Sequence, residues 1–377
     1  MKRYAIFFPQ FHRVQVNDLA WGVGFTDWAL VAAANAFHYW KRRSPACGFY
    51  DLSKASDVEA SFEAAAGAGI DGFGIYHYRF DDGPELDAVE RYLRQTRTPE
   101  GFQYFYIWAN ENWSTRWMGK DVKTLKHLGT APSRGQIAEH VHYLAPFMES
   151  DSYTRIEDRP VFVVYRPDRF LDCRATWNLY REEFRRAGLN PAIGLFVSNV
   201  LDMEYSNLFD FCYLFEPRLF FNFHGVRKNA AVVKAYQRLS RWMPPESVEK
   251  VSERIVRLLN RGAKRYSFSE FLTYFDSQER RDLVQSSSCP VQNIVTCGWN
   301  NAPRYRHRFT ELEVPTPEQT ARMLKLSLGA HGCSETIPLL CNAWNEWSEG
   351  AAIEPCSYLG ERLLRDYLAD RCGCGNG

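Results

Sequence analysis

The chain carries almost no net charge: 46 Lys and Arg stand against 45 Asp and Glu, a formal +1 over 377 residues. That balance gives no reason to expect nucleic acid or an anionic membrane as a main partner. No apolar run is long enough to span a bilayer, so no integral membrane segment is expected. The opening Met1–Gln10 is interrupted by Pro9 and lacks a small-residue cleavage site, so it does not read as a signal peptide. The ten cysteines show no paired spacing, and reduced thiols in a cytoplasmic setting are the expectation. Cys212, Cys297 and Cys341 lie inside apolar runs, where a thiol acts as a small hydrophobe. Cys372 and Cys374, in the Gly-rich tail, lack further ligands for zinc. There is no strand-to-helix Gly-rich phosphate loop and no Asp-x-Asp pair to hold a metal-bound nucleotide diphosphate. No metal and no cofactor is therefore expected. Nothing in the sequence fixes an oligomeric state.

What is present is a repeated pattern. Short apolar runs recur at Tyr4–Phe8, Gly72–Tyr76, Tyr104–Trp108, Val161–Tyr165, Ile193–Val197, Phe211–Phe215, Gln292–Cys297 and Ile337–Cys341. Helical periodicity falls between most of them, at Asp57–Gly67, Glu85–Gln95, Arg134–Met148, Ala175–Ala187 and Pro317–Leu328. Continuous apolar strands suit a parallel sheet buried on both faces, and about eight of them is a barrel's complement. The fold expected is an α/β (β/α)8 TIM barrel over residues 1–370, with residues 371–377 as a tail. Two connections are long, 9–56 and 217–290. In a barrel such βα insertions lie over the C-terminal face. Amphipathic patterns at 230–242 and 247–259 read as helices within the second.

The residues just past each run support the barrel over an open sheet. They are His12, then His77 and Tyr78, then Asn110, Glu111 and Trp113 behind Trp108, then Tyr165 and Arg166, then Ser198 and Asn199, then Glu216, then Trp299 and Asn300, and finally Trp344, Asn345, Glu346, Trp347 and Glu349. In a barrel these ends converge on one face, where active sites are built. The last group is the most informative. Two carboxyls three residues apart, between indoles, suit glycosidic-bond chemistry: one can move a proton while the other stabilises or captures a sugar cation. Trp344 and Trp347 offer flat faces for a sugar ring, and 15% aromatic content is high enough to fit such platforms. Glu111 reads as a third carboxylate. Arg166 and Arg304 are candidates to orient it or to bind a charged sugar, with pairing to a core acid as the alternative. His140 and His142 read as surface histidines rather than metal ligands.

Taken together, these stretches resemble the WbsX-type family of bacterial surface-polysaccharide biosynthesis, itself similar to the family 99 glycoside hydrolases, the endo-α-1,2-mannosidases and mannanases. The matching motifs are Phe8-Pro-Gln-Phe-His12, Trp21-Gly-Val-Gly-Phe-Thr-Asp-Trp28, Gly48-Phe-Tyr-Asp-Leu52, Gly69-Ile-Asp-Gly-Phe-Gly-Ile-Tyr-His-Tyr78, Trp108-Ala-Asn-Glu-Asn-Trp113, Tyr165-Arg-Pro167, Trp299-Asn-Asn-Ala-Pro-Arg304 and Ala343-Trp-Asn-Glu-Trp-Ser-Glu-Gly350. The resemblance implies a (β/α)8 fold and a catalytic Glu-x-x-Glu pair at Glu346 and Glu349. It further implies that Glu346 is the base acting on the sugar's own 2-hydroxyl, through a 1,2-anhydro sugar, and that Glu349 is the acid protonating the leaving oxygen. The chain departs from the family where Met118 and Asn300 replace Asp, and where Asp27 replaces a Glu.

Three readings follow: a retaining endo-glycosidase or transglycosylase acting on a surface polysaccharide, a glycosyltransferase of O-antigen or capsule assembly, and a silent glycan-binding barrel. The substrate partner in each is a polysaccharide or oligosaccharide. The intact Glu pair ranks the silent barrel last.

Overall fold

A computed structural model describes residues 1–34, 44–115, 123–228, 262–328 and 334–369. Eight parallel strands close into a barrel: β1 (Arg3–Phe7), β2 (Gly72–Phe80), β3 (Gln103–Trp108), β4 (Arg159–Val164), β5 (Ala192–Val197), β6 (Phe211–Leu214), β7 (Val291–Thr296) and β8 (Leu339–Asn342). Each pairs with the next in order. Closure comes from β8 beside β1, with Arg3 opposite Leu339 and Ala5 opposite Cys341. The strands are buried almost throughout, which is why they read as unbroken apolar runs.

Small residues let the strands pack large rings. A Cβ on Gly72 would sit 2.2 Å from the Gln103 carbonyl and 2.7 Å from the Tyr4 ring; one on Gly194 would sit 2.3 Å from the Phe211 ring. Neither position admits a side chain.

Helices cover the outside of the barrel. Arg134–Met148 begins where sequence periodicity places it because Ser133 and Gln136 form a capping box. Cys173–Arg186 is capped by Asp172, whose side chain accepts from the Ala175 amide. After β5 the crossover is a nine-residue 3-10 helix, Val200–Leu208, rather than an α-helix. The long first connection contains helices Gln15–Trp21 and Asp27–Ala34. The second begins with Arg218–Lys228 and ends with Phe268–Phe275 and Gln278–Gln285. The patterns expected at 230–242 and 247–259, Met118 and the 371–377 tail all lie outside the described residues.

One boundary matters for function. β2 does not stop at Tyr76. It runs to Phe80 because its end forms an antiparallel hairpin with Gly83–Glu85, Tyr78 standing opposite Glu85. His77 and Tyr78 are therefore strand residues, and alternation sends them to opposite faces.

Among the described residues, no helix is long and apolar enough to cross a membrane.

Candidate active site

At the C-terminal ends of the strands, Arg304 collects three acids. Its Nη1 donates to the Glu349 carboxylate, its Nη2 lies 3.4 Å from Glu346 Oε2 and 3.7 Å from Asp27 Oδ1, and its Nε donates to Ser348 Oγ at 2.8 Å. All four residues are at least nine-tenths buried. Asp27 arrives on the helix Asp27–Ala34 of the first insertion, Arg304 on the short helix Ala302–Tyr305 after β7, and the glutamates flank the 3-10 turn Trp347–Glu349 after β8.

Burial and the neighbouring Glu349 charge push the Glu346 carboxyl well above its ordinary range, against the pull of Arg304. Burial likewise raises Asp27, opposed by Arg304 and by the neighbouring Ser348. Burial works against the charge on Arg304, but Glu349, Asp27 and Glu346 outweigh it and keep the guanidinium protonated. The strongest guanidinium contact goes to Glu349, and Glu346 lies farther from the same group.

Tyr76, Tyr78 and Tyr165 form the adjoining wall. Tyr165 meets Tyr76 edge-on at 6.4 Å, and Tyr76 and Tyr78 lie 6.3 Å apart. Burial and the nearby carboxylates hold the Tyr76 and Tyr78 phenols protonated; Tyr165 is pushed up to about 12, chiefly by burial. These are neutral donors suited to sugar hydroxyls. Glu111 lies on the same side, half exposed, with Arg166 Nη1 3.7 Å away.

Other expected site residues serve the scaffold. Asn110 is fully buried and clamps the next strand end: its Oδ1 accepts from the Arg166 amide at 2.7 Å and its Nδ2 donates to the Arg166 carbonyl at 2.7 Å. Asn345 makes the same two-point clamp on Phe8, at 2.7 and 3.0 Å. In both places the residue after the asparagine is the glutamate that reaches the site, Glu111 or Glu346.

The tryptophans are a correction. Trp344, Trp347, Trp108 and Trp299 are 0, 1, 1 and 3% exposed, leaving no ring face open for a sugar. Trp344 packs on Phe73, Trp108 sits among His140, Phe170 and Tyr180, and Trp299 meets Phe221. Trp347 donates to Glu354 at 2.8 Å. Trp113 is nearer the site, 6.0 Å from the Tyr78 ring, but is also buried.

His77 points outward, to Glu90 at 2.8 Å and His140 Nε2 at 3.0 Å, in a fully buried network under the helices. His140 is consequently not a surface histidine. Glu216 forms a buried ion pair with Arg280 at 3.2 Å instead of facing the barrel mouth. His12 is buried with Nδ1 2.9 Å from the Pro9 carbonyl, and the charges it feels most are Arg91, Asp51 and Asp87. Asn300 donates to Glu311 and accepts from the Ala302 amide. Asp27, Arg304, Tyr76 and Arg218 complete the mouth; the first three stood in the motifs above without a predicted role at the Glu pair.

The family model for glycosyltransferase WbsX matches residues 3–367. The chain belongs to the WbsX glycosyltransferase family. This WbsX-family chain is 26% identical over 368 residues to the uncharacterized protein WxcX of Xanthomonas campestris pv. campestris strain B100, covering 96% of the chain. It is 27% identical to WxcX of a second strain, ATCC 33913. It spans about half the length of these relatives, 48% of each. Among solved structures it is similar to the GH99 endo-alpha-mannosidase from Bacteroides thetaiotaomicron, with TM-score 0.51, 11% identity and coverage of 98% of this chain and 96% of that one. It is also similar to a glycoside hydrolase-like protein, with TM-score 0.55, 12% identity and coverage of 98 and 93%. These structures share the glycoside hydrolase-like barrel fold.

Proposed function

We propose that this chain makes or breaks a glycosidic bond in a bacterial surface polysaccharide, using Glu346 and Glu349 as a carboxyl pair. The observation that carries the reading is the convergence of both carboxyls on the Arg304 guanidinium, beside three neutral phenols at the catalytic end of a barrel. The preferred chemistry is a retaining endo-glycosidase or transglycosylase reaction with participation of the sugar's 2-hydroxyl. In that sequence Glu346 takes the 2-hydroxyl proton and Glu349 protonates the leaving oxygen. Burial raises the Glu346 carboxyl, so bound substrate must lower it before Glu346 can act as the base. Tyr76, Tyr78 and Tyr165 would orient hydroxyls, and Arg304 would keep the pair at a fixed separation.

The family description favours one further reading, glycosyl transfer from an activated donor, in which a pair member activates the acceptor hydroxyl. Parallel assays separate the two. Bacterial polysaccharides incubated alone should release oligosaccharide with retained anomeric configuration, read by NMR. Product formed only when a nucleotide-linked or lipid-linked sugar is added, without cleavage, would replace hydrolysis with transfer.

A further inference from the structure

Three guanidinium groups stand at the barrel mouth, and they are not equivalent. Arg304 is engaged by Glu349, Glu346, Asp27 and Ser348. Arg166 is held by both oxygens of Asp168, at 2.8 and 3.0 Å, with Glu111 3.7 Å away. Arg218 is the first residue of the helix that follows β6; its side chain is exposed. Among the described residues it has no hydrogen-bonded or ion-paired partner, and the groups it feels most are Tyr165, Glu349, Tyr305 and Glu111. The wall beneath it is packed: Phe215, at the end of the same strand, meets Tyr165 edge-on at 5.7 Å and Phe196 in a stack at 4.9 Å. Arg218 therefore borders the same space as the pair, with its donor fork uncommitted.

A guanidinium offers a planar array of donors that matches a carboxylate or phosphate in two-point contact. Sugar hydroxyls do not need such a group; Tyr76, Tyr78 and Tyr165 already supply neutral donors.

We propose that Arg218 binds an oxyanionic group of the substrate, so that the enzyme selects a glycan bearing a carboxylate, or a glycosyl phosphate, over an uncharged sugar. This rests on the carbohydrate reading above and narrows its substrate class.

The test uses the full chain and its Arg218→Gln and Arg218→Lys variants, titrated calorimetrically with inorganic phosphate, glucuronate, mannuronate and mannose 1-phosphate, and with mannose as the uncharged control. The expected result is anion binding to the unmutated protein that falls about tenfold or more in Arg218→Gln. Arg218→Lys should recover only part of it, because a lysine keeps the charge and loses the fork. Tighter binding of the uronates assigns the anion to the glycan; tighter binding of phosphate and mannose 1-phosphate assigns it to an activated donor. Either supports the proposal. Equal responses of the unmutated protein and Arg218→Gln, including no response in both, overturn it. If anions bind through Arg218 but no glycan is cleaved or extended, the anion site stands and the carbohydrate reading fails.

Discussion

Arg304 and Glu349, 45 residues apart in sequence, share a charge-assisted hydrogen bond at the barrel mouth. That bond, with the same guanidinium's contacts to Glu346 and Asp27, makes one cation answer to three buried acids. Arg304→Gln should remove activity and also destabilise the fold by about 3 kcal/mol, because breaking a buried pair strands the remaining charges. Urea unfolding near neutral pH measures the loss. It should shrink in acid, where protonated carboxyls no longer need the cation. A variant as stable as the parent would show that Arg304 is not the organiser of the site.

Glu354 gives a pH prediction. Its carboxyl is buried, accepts from Trp347 at 2.8 Å and from Tyr50 at 3.1 Å, and is raised by burial to about 7. A carboxyl raised in the folded state favours folding while protonated. Its contribution is complete below the unfolded value near 4.5 and is lost as pH rises through about 7. Glu354→Gln should therefore remove up to about 3 kcal/mol of pH-dependent loss across that window. Parallel melting curves at pH 4.5, 6 and 8 read this directly; identical pH slopes for variant and parent would reject it. Because Glu354 braces the turn carrying both glutamates, Glu354→Ala should lower kcat more than it raises KM.

The fully buried indoles and the half-buried phenols Tyr78 and Tyr165 should separate in mutagenesis. Trp344→Ala should cost about 3–5 kcal/mol of stability, and Trp344→Phe less, with little change in glycan KM. Tyr78→Phe and Tyr165→Phe should leave stability nearly unchanged and weaken glycan binding, each by roughly the 0.5–1.5 kcal/mol of one neutral hydrogen bond. Denaturant titrations paired with binding isotherms check both arms. The reverse pattern would return the tryptophans to the site.

Most of the barrel was legible because a strand buried on both faces must be apolar at every position. Val161–Tyr165 and Ile193–Val197 announce themselves this way, and periodicity places the helix Arg134–Met148 with its observed ends. The face of the barrel that carries the site was legible for the same reason: polar residues begin where the strand stops being enclosed. Which side of the strand end each residue takes was not. His77 lies one residue past the apolar run, yet β2 continues through its hairpin, and alternation turns the imidazole toward Glu90 and His140. Trp344 is adjacent to the glutamate pair, but a large ring at a strand end gains more by filling the gap beside Phe73 than by facing solvent. The two asparagine clamps have no local signature, since each needs the backbone of the neighbouring strand. The Asp27–Arg304–Glu349 cluster joins three separate strand-end connections, so its members stood in the sequence without a visible reason to meet.

The central claim, that Glu346 and Glu349 together act on a glycosidic bond, is tested most directly by product formation from a bacterial polysaccharide panel with the unmutated protein, Glu346→Gln and Glu349→Gln, each followed by intact-mass measurement. Product is expected from the unmutated protein and none from either variant, although both remain folded and bind glycan. No sugar is expected on Glu346 at any time, because the 2-hydroxyl and not the carboxylate attacks the anomeric carbon. Near-native turnover by Glu349→Gln would contradict the acid assignment, and a glycosyl adduct on Glu346 would contradict the route through the 2-hydroxyl.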